Sequence, residues 1–508
     1  MRKKFYSLIL FIFISAIIVA QNNLYREKYR PQFHFSPSKN WTNDPNGLVY
    51  FNREYHLFYQ YNPYGNKWGH MSWGHAVSPD LVHWEHLPLA IPEKDTIMIF
   101  SGSAVIDKNN SSGFAIKPGQ VPMVAIYTAH IIADSSNPDN YRQEQHIAYS
   151  LDKGRTWTKY QDNPVLDIHR KDFRDPKVFW YAPQKKWIMT VVLPQEHIVQ
   201  FYSSYNLKNW THSSDFGPAG DTSNIWECPD LLQVPVAGSP GIFKWVLLNS
   251  QQTTMQYFVG TFDGTKFINE NTADKIFRPD YGPDYYAAVT YNNLPANQLP
   301  ILLGWANNWK YANDIPTFPW KSAMALPRSL MLKKMNNEWR LIQEPVVNFK
   351  KLRATVVELK NLTVSSKKEL PVKTQQLEME LVLQPGQNVI SGVRLAVGKQ
   401  NIFIIGYDAS SGKLFIDRSG CTNTSFNKNF TNPSRYETPL TPVNGKIKFH
   451  LFFDHSIVEV FANDGMAVMT AQLFPDEKDN GIELFSNNGA TKFESVKLWR
   501  LKSAWQVK

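Results

Sequence analysis

Apolar residues recur along the chain in short runs every 8–15 residues, with clusters of Asn, Gly, Asp and Pro between them, and helical periodicity is nearly absent. Paired runs read as β-hairpins: 48–51 with 55–60 around Asn52-Arg53-Glu54, 177–181 with 187–193, and 231–234 with 244–248. Near 328–334 the character changes. From about Leu352 onward come alternating strands, such as 446–453, 456–461 and 496–501. Such alternation suits two sheets packed face to face, so the pattern predicts an all-β protein whose C-terminal part is a β-sandwich. Glu459 lies among Ile457, Val458 and Val460 on one of these strands, a poor position for chemistry.

A degenerate repeat marks the first part. Ser78 to Trp84, Ser150 to Trp157 and Ser204 to Trp210 share Ser, then Asp or Asn, then Trp six or seven residues after the Ser. The Asp or Asn side chain closes a turn and the Trp packs between neighbouring sheets, as in the outer part of a propeller blade. The tryptophans are 73 and then 53 residues apart, so the units carry unequal insertions.

Three acids sit at comparable places in these units: Asp44 in Trp41-Thr42-Asn43-Asp44-Pro45-Asn46-Gly47, Asp175 in Phe173-Arg174-Asp175-Pro176, and Glu227 in Trp226-Glu227-Cys228-Pro229. Each lies one or two residues before a proline that opens a hairpin. An X-Pro step disfavours helix and fixes a strand entrance, so equivalent acids would point at one end of the sheets. Any one of them alone is ordinary turn chemistry. Three in register, beside Trp, Arg or Cys, suggest a hydrolase of polar sugars.

With these boxes the chain resembles the family-32 glycoside hydrolases, the β-fructosidases that include invertases, inulinases and levanases. Supporting matches are 100–103 (Phe-Ser-Gly-Ser), 68–75 (Trp-Gly-His-Met-Ser-Trp-Gly-His), Asn307-Asn308-Trp309, Met324 and Pro327-Arg328; Thr42 stands where the family more often has Met. The resemblance runs from about Tyr29 to the C-terminus. It implies a five-bladed β-propeller, expected over 21–335, followed by a β-sandwich over 352–508. It also implies a retaining exo-acting enzyme that releases fructose from fructan or sucrose, without cofactor, with text closest to exo-levanases and exo-inulinases. An invertase, a transfructosylase, or a fructan-binding protein that has lost catalysis are the alternatives; the last is disfavoured because Asp44 and Glu227 are both present.

By the same resemblance Asp44 is the nucleophile, Glu227 the acid/base, and Asp175 the acid that holds fructose hydroxyls. Trp41, Gln60, Trp68, Phe100, Ser101 and Trp309 fall in the sugar pocket, where rings stack on C–H faces and amides and hydroxyls meet sugar hydroxyls. Asn43 offers amide donors beside Asp44. Arg174 is expected to keep Asp175 ionised, and the apolar neighbours of Glu227 to favour its protonated form. Asp284, in Gly282-Pro283-Asp284-Tyr285, is a fifth-unit candidate for hydroxyl contact.

Composition narrows the setting. Arg2-Lys3-Lys4 precede an apolar stretch from Phe5 to Ala20, shorter than the roughly 20 residues that span a bilayer. It reads as a signal peptide, 1–20, with a retained anchor as runner-up, so the expectation is a secreted or periplasmic protein with no membrane anchor once the signal is removed. The formal charge of +10 falls to +7 without those three residues, and its Lys and Arg are scattered without aromatic interleaving, which argues against nucleic acid. Cys228 and Cys421 lie far apart in different expected domains, so no disulfide is expected. No metal-ligand spacing is present, and no metal site is expected.

Overall fold

The computed structural model describes residues 24–134, 136–272 and 275–505 of the 508-residue chain. The signal-peptide expectation lies outside the described residues. Seven sheets account for nearly all regular structure. Five belong to the propeller, and each begins on an innermost strand: Asn40–Phe51, Ile97–Ile106, Arg174–Tyr181, Glu227–Pro235 and Tyr286–Thr290. These five strands contact one another in order around a central axis, and the fifth returns to the first. A short strand, Trp320–Lys321, adds in parallel to Asn40 and Trp41 at the edge of the first blade. Blade five closes with Glu338–Pro345, so propeller strands continue past residue 335. Two six-stranded sheets beginning at Arg353–Val364 and Lys367–Glu369 form the sandwich.

Apolar side chains fill the wedges between neighbouring blades, which is what makes the hairpin repeats stack into a ring. Phe58 and Trp73 meet Ile99 and Tyr127 between blades one and two, and Ile126 and Ile147 meet Val178 and Met189 between two and three. Ile188 and Phe201 meet Leu231 and Leu247, and Val246 and Leu248 meet Leu302 and Leu330, in the next two wedges. The repeat also folds as its composition requires. Asp80 accepts from the backbone N–H of His83 at 3.0 Å, Asp152 from that of Thr156 at 2.9 Å, and Asn206 from that of Asn209 at 2.9 Å. Trp157 of blade two then packs edge-on against Phe58 of blade one, 5.4 Å between centroids.

One backbone feature carries this fold to its site. All five innermost strands are bulged near their starts: between Thr42 and Pro45, Ile99 and Gly102, Arg174 and Lys177, Glu227 and Asp230, and Tyr286 and Val289. A bulge adds an unpaired residue and re-aims the side chains around it. Asp175, Cys228 and Ala287 take left-handed φ of 65°, 47° and 51° at equivalent points of blades three, four and five. In blade two the bulge needs Gly102, because a Cβ there would stand 2.1 Å from the carbonyl oxygen of Ile126. The acids therefore do not share one address. Asp175 aligns with Cys228 and Ala287, whereas Glu227 aligns with Arg174 and Tyr286.

Propeller and sandwich meet through a buried charged network. Arg328 donates to Asp280 at 2.9 Å, Glu459 at 2.6 Å and Thr470 at 2.7 Å, and His34 bridges Asp454 at 2.8 Å and Glu459 at 3.1 Å. Glu459 is thus a structural carboxylate, fully buried and paired with Arg328 and His34.

Candidate active site

The bulges deliver side chains from blades one to four, with Trp309 from blade five, to a single cavity of about 940 Å³ at one end of the propeller axis. Asn43, Asp44, Gln60, Trp68, Phe100, Ser101, Arg174, Asp175, Glu227 and Trp309 all line it. Asp44 is buried and accepts from Ser101 Oγ at 2.6 Å and from Asn43 Nδ2 at 3.0 Å. Trp41 Nε1 donates to Asn43 Oδ1 at 2.7 Å, which fixes the direction of that amide. Burial pushes the Asp44 carboxyl up from its ordinary value, partly offset by Ser101 and Asn43 and reinforced by the charge of Glu227.

Cys228 sits between two of the acids. Its backbone N–H donates to Asp175 Oδ2 at 2.9 Å, and its thiol lies 3.5 Å from Asp44 and 3.7 Å from Asp175. Burial and the three carboxyls push that thiol well up, so it stays neutral.

Glu227 is gripped from both sides. Its Oε1 accepts from Arg174 Nε at 3.1 Å and Nη2 at 3.0 Å, and its Oε2 accepts from the hydroxyl of Tyr286. Two sequence expectations change here. Arg174 is directed at Glu227 and at Asp172, 3.0 Å away, and stands 4.0 Å from Asp175; burial pushes Asp175 up in spite of it. The apolar neighbour Trp226 turns away into the wedge between blades three and four, so the Glu227 carboxyl faces a guanidinium and a phenol instead. The reason is the alignment given above, which puts Arg174, Glu227 and Tyr286 at the same point of successive blades.

Two further residues are placed elsewhere than expected. Trp41 is fully buried behind the cavity, with Trp309 stacked on it at 5.9 Å, so it backs the wall without forming it. Asp284 is not in the cavity: it is buried against the sandwich, accepting from Tyr311 at 2.5 Å, Arg418 at 3.2 Å and the N–H of Gln472 at 2.7 Å. Asp284 lies in the bend before the strand begins at Tyr286, and its own N–H donates to the carbonyl of Thr470 at 3.2 Å, which ties it to the sandwich.

The sequence reading missed Tyr286, and it missed His130 and Tyr141, which extend the expected rings Trp68 and Phe100 into a wall. Trp68, 43% exposed at the mouth, meets Phe100 edge-on at 6.2 Å; Phe100 stacks on His130 at 4.4 Å, and Tyr141 packs against His130 at a tilt, 4.4 Å away. Tyr141 donates to Asp172 at 2.8 Å, which returns the chain of contacts to Arg174. Burial, aided by Arg174, drops His130 to about 4, so a neutral imidazole lines the cavity. The signal for Tyr286 was its position in unit five, visible only once the five bulges are aligned.

Among the described residues one cluster has cation-site donor types, Glu378, Glu380 and His450 in the sandwich. Its carboxylates are already taken by Arg353 at 2.5, 2.6 and 3.3 Å and by His450 at 2.7 Å, and it lines a different pocket.

Three carboxyls from blades one, three and four, with polar donors and rings around one cavity, define a glycoside hydrolase. Residues 34–345 match the N-terminal domain and 348–500 the C-terminal domain of glycosyl hydrolases family 32, and the chain belongs to that family. It is 47% identical over 501 residues to a levanase of Bacillus subtilis (strain 168), covering 96% of this chain and 72% of that protein. The crystal structure of exo-inulinase from Aspergillus awamori superposes with a TM-score of 0.88 at 37% identity, covering 95% of this chain and 100% of that one. A β-fructofuranosidase from Schwanniomyces occidentalis complexed with fructosyl-erythritol gives 0.84 at 34% identity, covering 94% and 98%.

Proposed function

We propose that this protein is a secreted retaining exo-β-fructosidase that hydrolyses terminal non-reducing β-D-fructofuranosyl residues of fructans such as levan and inulin, and of sucrose. The observation that carries the reading is the convergence of Asp44, Asp175 and Glu227 on one cavity, in a chain of which 95% or more aligns with a levanase and with an exo-inulinase. Those two relatives, one named extracellular, also support secretion.

In this mechanism Asp44, ionised, attacks the anomeric carbon of the terminal fructose while Glu227 gives its proton to the departing glycosidic oxygen. The carbon–oxygen bond to the leaving group breaks as an ester to Asp44 forms. Glu227, now a carboxylate, takes a proton from a water whose oxygen attacks the same carbon, and the ester opens. A phenol hydroxyl both donates and accepts, so Tyr286 holds Glu227 in either state. Asp175, oriented by the Cys228 N–H, accepts from fructose hydroxyls, and Trp68, Phe100 and Trp309 flank the ring.

Incubation with levan, inulin and sucrose side by side tests the function. Fructose released from at least one fructan is expected; absence of release from all three would contradict it.

A further inference from the structure

The segment that carries Trp309 is held from the sandwich. Residues 307–314 leave blade five, pass through the short 3-10 turn Ala312–Asp314, and place Trp309 against Trp41 and Trp305 at the cavity wall. Asn313 Oδ1 of the same segment accepts from the backbone N–H of Trp68 at 3.0 Å, so it also sets the ring at the mouth. Between these two residues stands Tyr311, which is buried and points the other way. Its hydroxyl donates to Asp284 and accepts from Arg418 Nη2 at 3.1 Å. Arg418 belongs to the sandwich, is itself buried, reaches Asp284 with Nη1, and lies 4.0 Å over the ring of Phe430. Phe430 in turn packs edge-on to Tyr311 at 5.2 Å. A second sandwich residue, Asn427, donates to Asp314 Oδ2 at 2.7 Å and to the carbonyl of Lys310 at 3.4 Å.

The same contacts fix the entrance of the fifth innermost strand. Asn308 Nδ2 donates to the carbonyl of Pro283 at 2.7 Å, and Asp284 lies two residues before Tyr286, which holds Glu227. A fork of guanidinium donors shared between a carboxylate and a phenol allows one geometry, which a lysine's single ammonium does not reproduce.

We infer that Arg418 is a positioning residue for the sugar site, acting from the sandwich through Asp284 and Tyr311 on segment 307–314 and so on Trp309 and Trp68. The sandwich is then part of the machinery that binds the terminal fructose. The inference rests on the proposed fructosidase reading, in which those two rings flank the sugar.

The test uses the full-length enzyme with sucrose and a fructan. Arg418→Lys is compared with Leu451→Ala, a cavity in the sandwich core away from this contact, chosen to lower Tm by at least as much. Arg418→Lys should raise KM, and weaken inhibition by fructose, by about 5- to 20-fold while kcat falls by less than about 3-fold, because binding common to substrate and transition state is what is lost. Leu451→Ala should leave KM within about 2-fold of the parent. Should Arg418→Lys fail to fold, Asn427→Ala at the half-exposed end of the contact decides, with a smaller rise in KM at unchanged Tm expected. Unchanged KM in the folded Arg418→Lys variant, or in Asn427→Ala where that decides, or an equal rise in Leu451→Ala, overturns the inference alone. A parent enzyme inactive on sucrose and on every fructan would overturn the fructosidase reading and this inference with it.

Discussion

Tyr286 donates its hydroxyl to Oε2 of Glu227 from the neighbouring blade, on the side opposite to the Arg174 guanidinium that holds Oε1. Both contacts come from bulges at equivalent points of successive blades, so the position of the proposed acid/base is set by the register of the propeller itself.

Tyr286→Phe removes one of these two supports and little volume. A hydrogen bond to a charged group contributes about 1.5–3 kcal/mol, so kcat/KM on sucrose should fall roughly 10- to 100-fold. The loss should shrink on a fructoside with an activated leaving group, which needs little protonation. Equal losses on both substrates, measured as kcat/KM, would remove Tyr286 from proton transfer.

Ser101 donates to Asp44 and lowers its proton affinity, against a burial that raises it. The nucleophile works ionised, so activity is lost as pH falls through its folded pKa. Ser101→Ala takes away a stabiliser of the charged form, and the acid limb of kcat/KM should move to higher pH by about 1 unit. A pH–rate profile whose acid limb stays put, or moves down, would contradict the pairing.

The propeller–sandwich interface has its own pH dependence. Burial alone would lower the proton affinity of His34, but its hydrogen bonds to Asp454 and Glu459 prevail and hold it up at about 9, against an ordinary value of 6.5. A raised folded value means the stabilisation is fully present below pH 6.5 and is lost as pH rises through 9. Tm should therefore decline over that window, and His34→Gln, already destabilised at about pH 6, should show a flatter decline. A parallel decline in both proteins would place the titration elsewhere.

Much of this was legible in the chain. Hairpin runs, the Ser–Asp–Trp repeat and the alternation after Leu352 correspond to blades and sandwich because each is a local rule of turn chemistry or pleat. Asp44, Asp175 and Glu227 stood out because each lies just before a proline, and the structure brings all three to one cavity. What was hidden is set by long-range register. Arg174 seemed a partner for its sequence neighbour, yet its guanidinium crosses to the next blade. Asp284 carried the look of a signature, but the bend before the strand turns it to Arg418 and Thr470 of the sandwich while Tyr286, unmarked by any motif, faces the acid.

Mode of attack follows from the walls. In the proposed reading Trp68, Phe100 and Trp309 of the cavity lining flank one terminal sugar, so early digests of a long fructan should contain fructose alone while polymer length falls slowly. Short oligosaccharides preceding free fructose would mean a cleft open at both ends.

The covalent step is the centre of the account, and mass spectrometry reaches it directly. Glu227→Ala, given a fructosyl donor with an activated leaving group, should form the ester readily and hydrolyse it slowly, because the group that activates water is gone. Quenched and digested, the protein should carry one dehydrated fructose on the peptide containing Asp44, and that adduct should disappear in the Glu227→Ala/Asp44→Asn double variant. Turnover of the activated donor with no adduct, or an adduct on a peptide without Asp44, would contradict it.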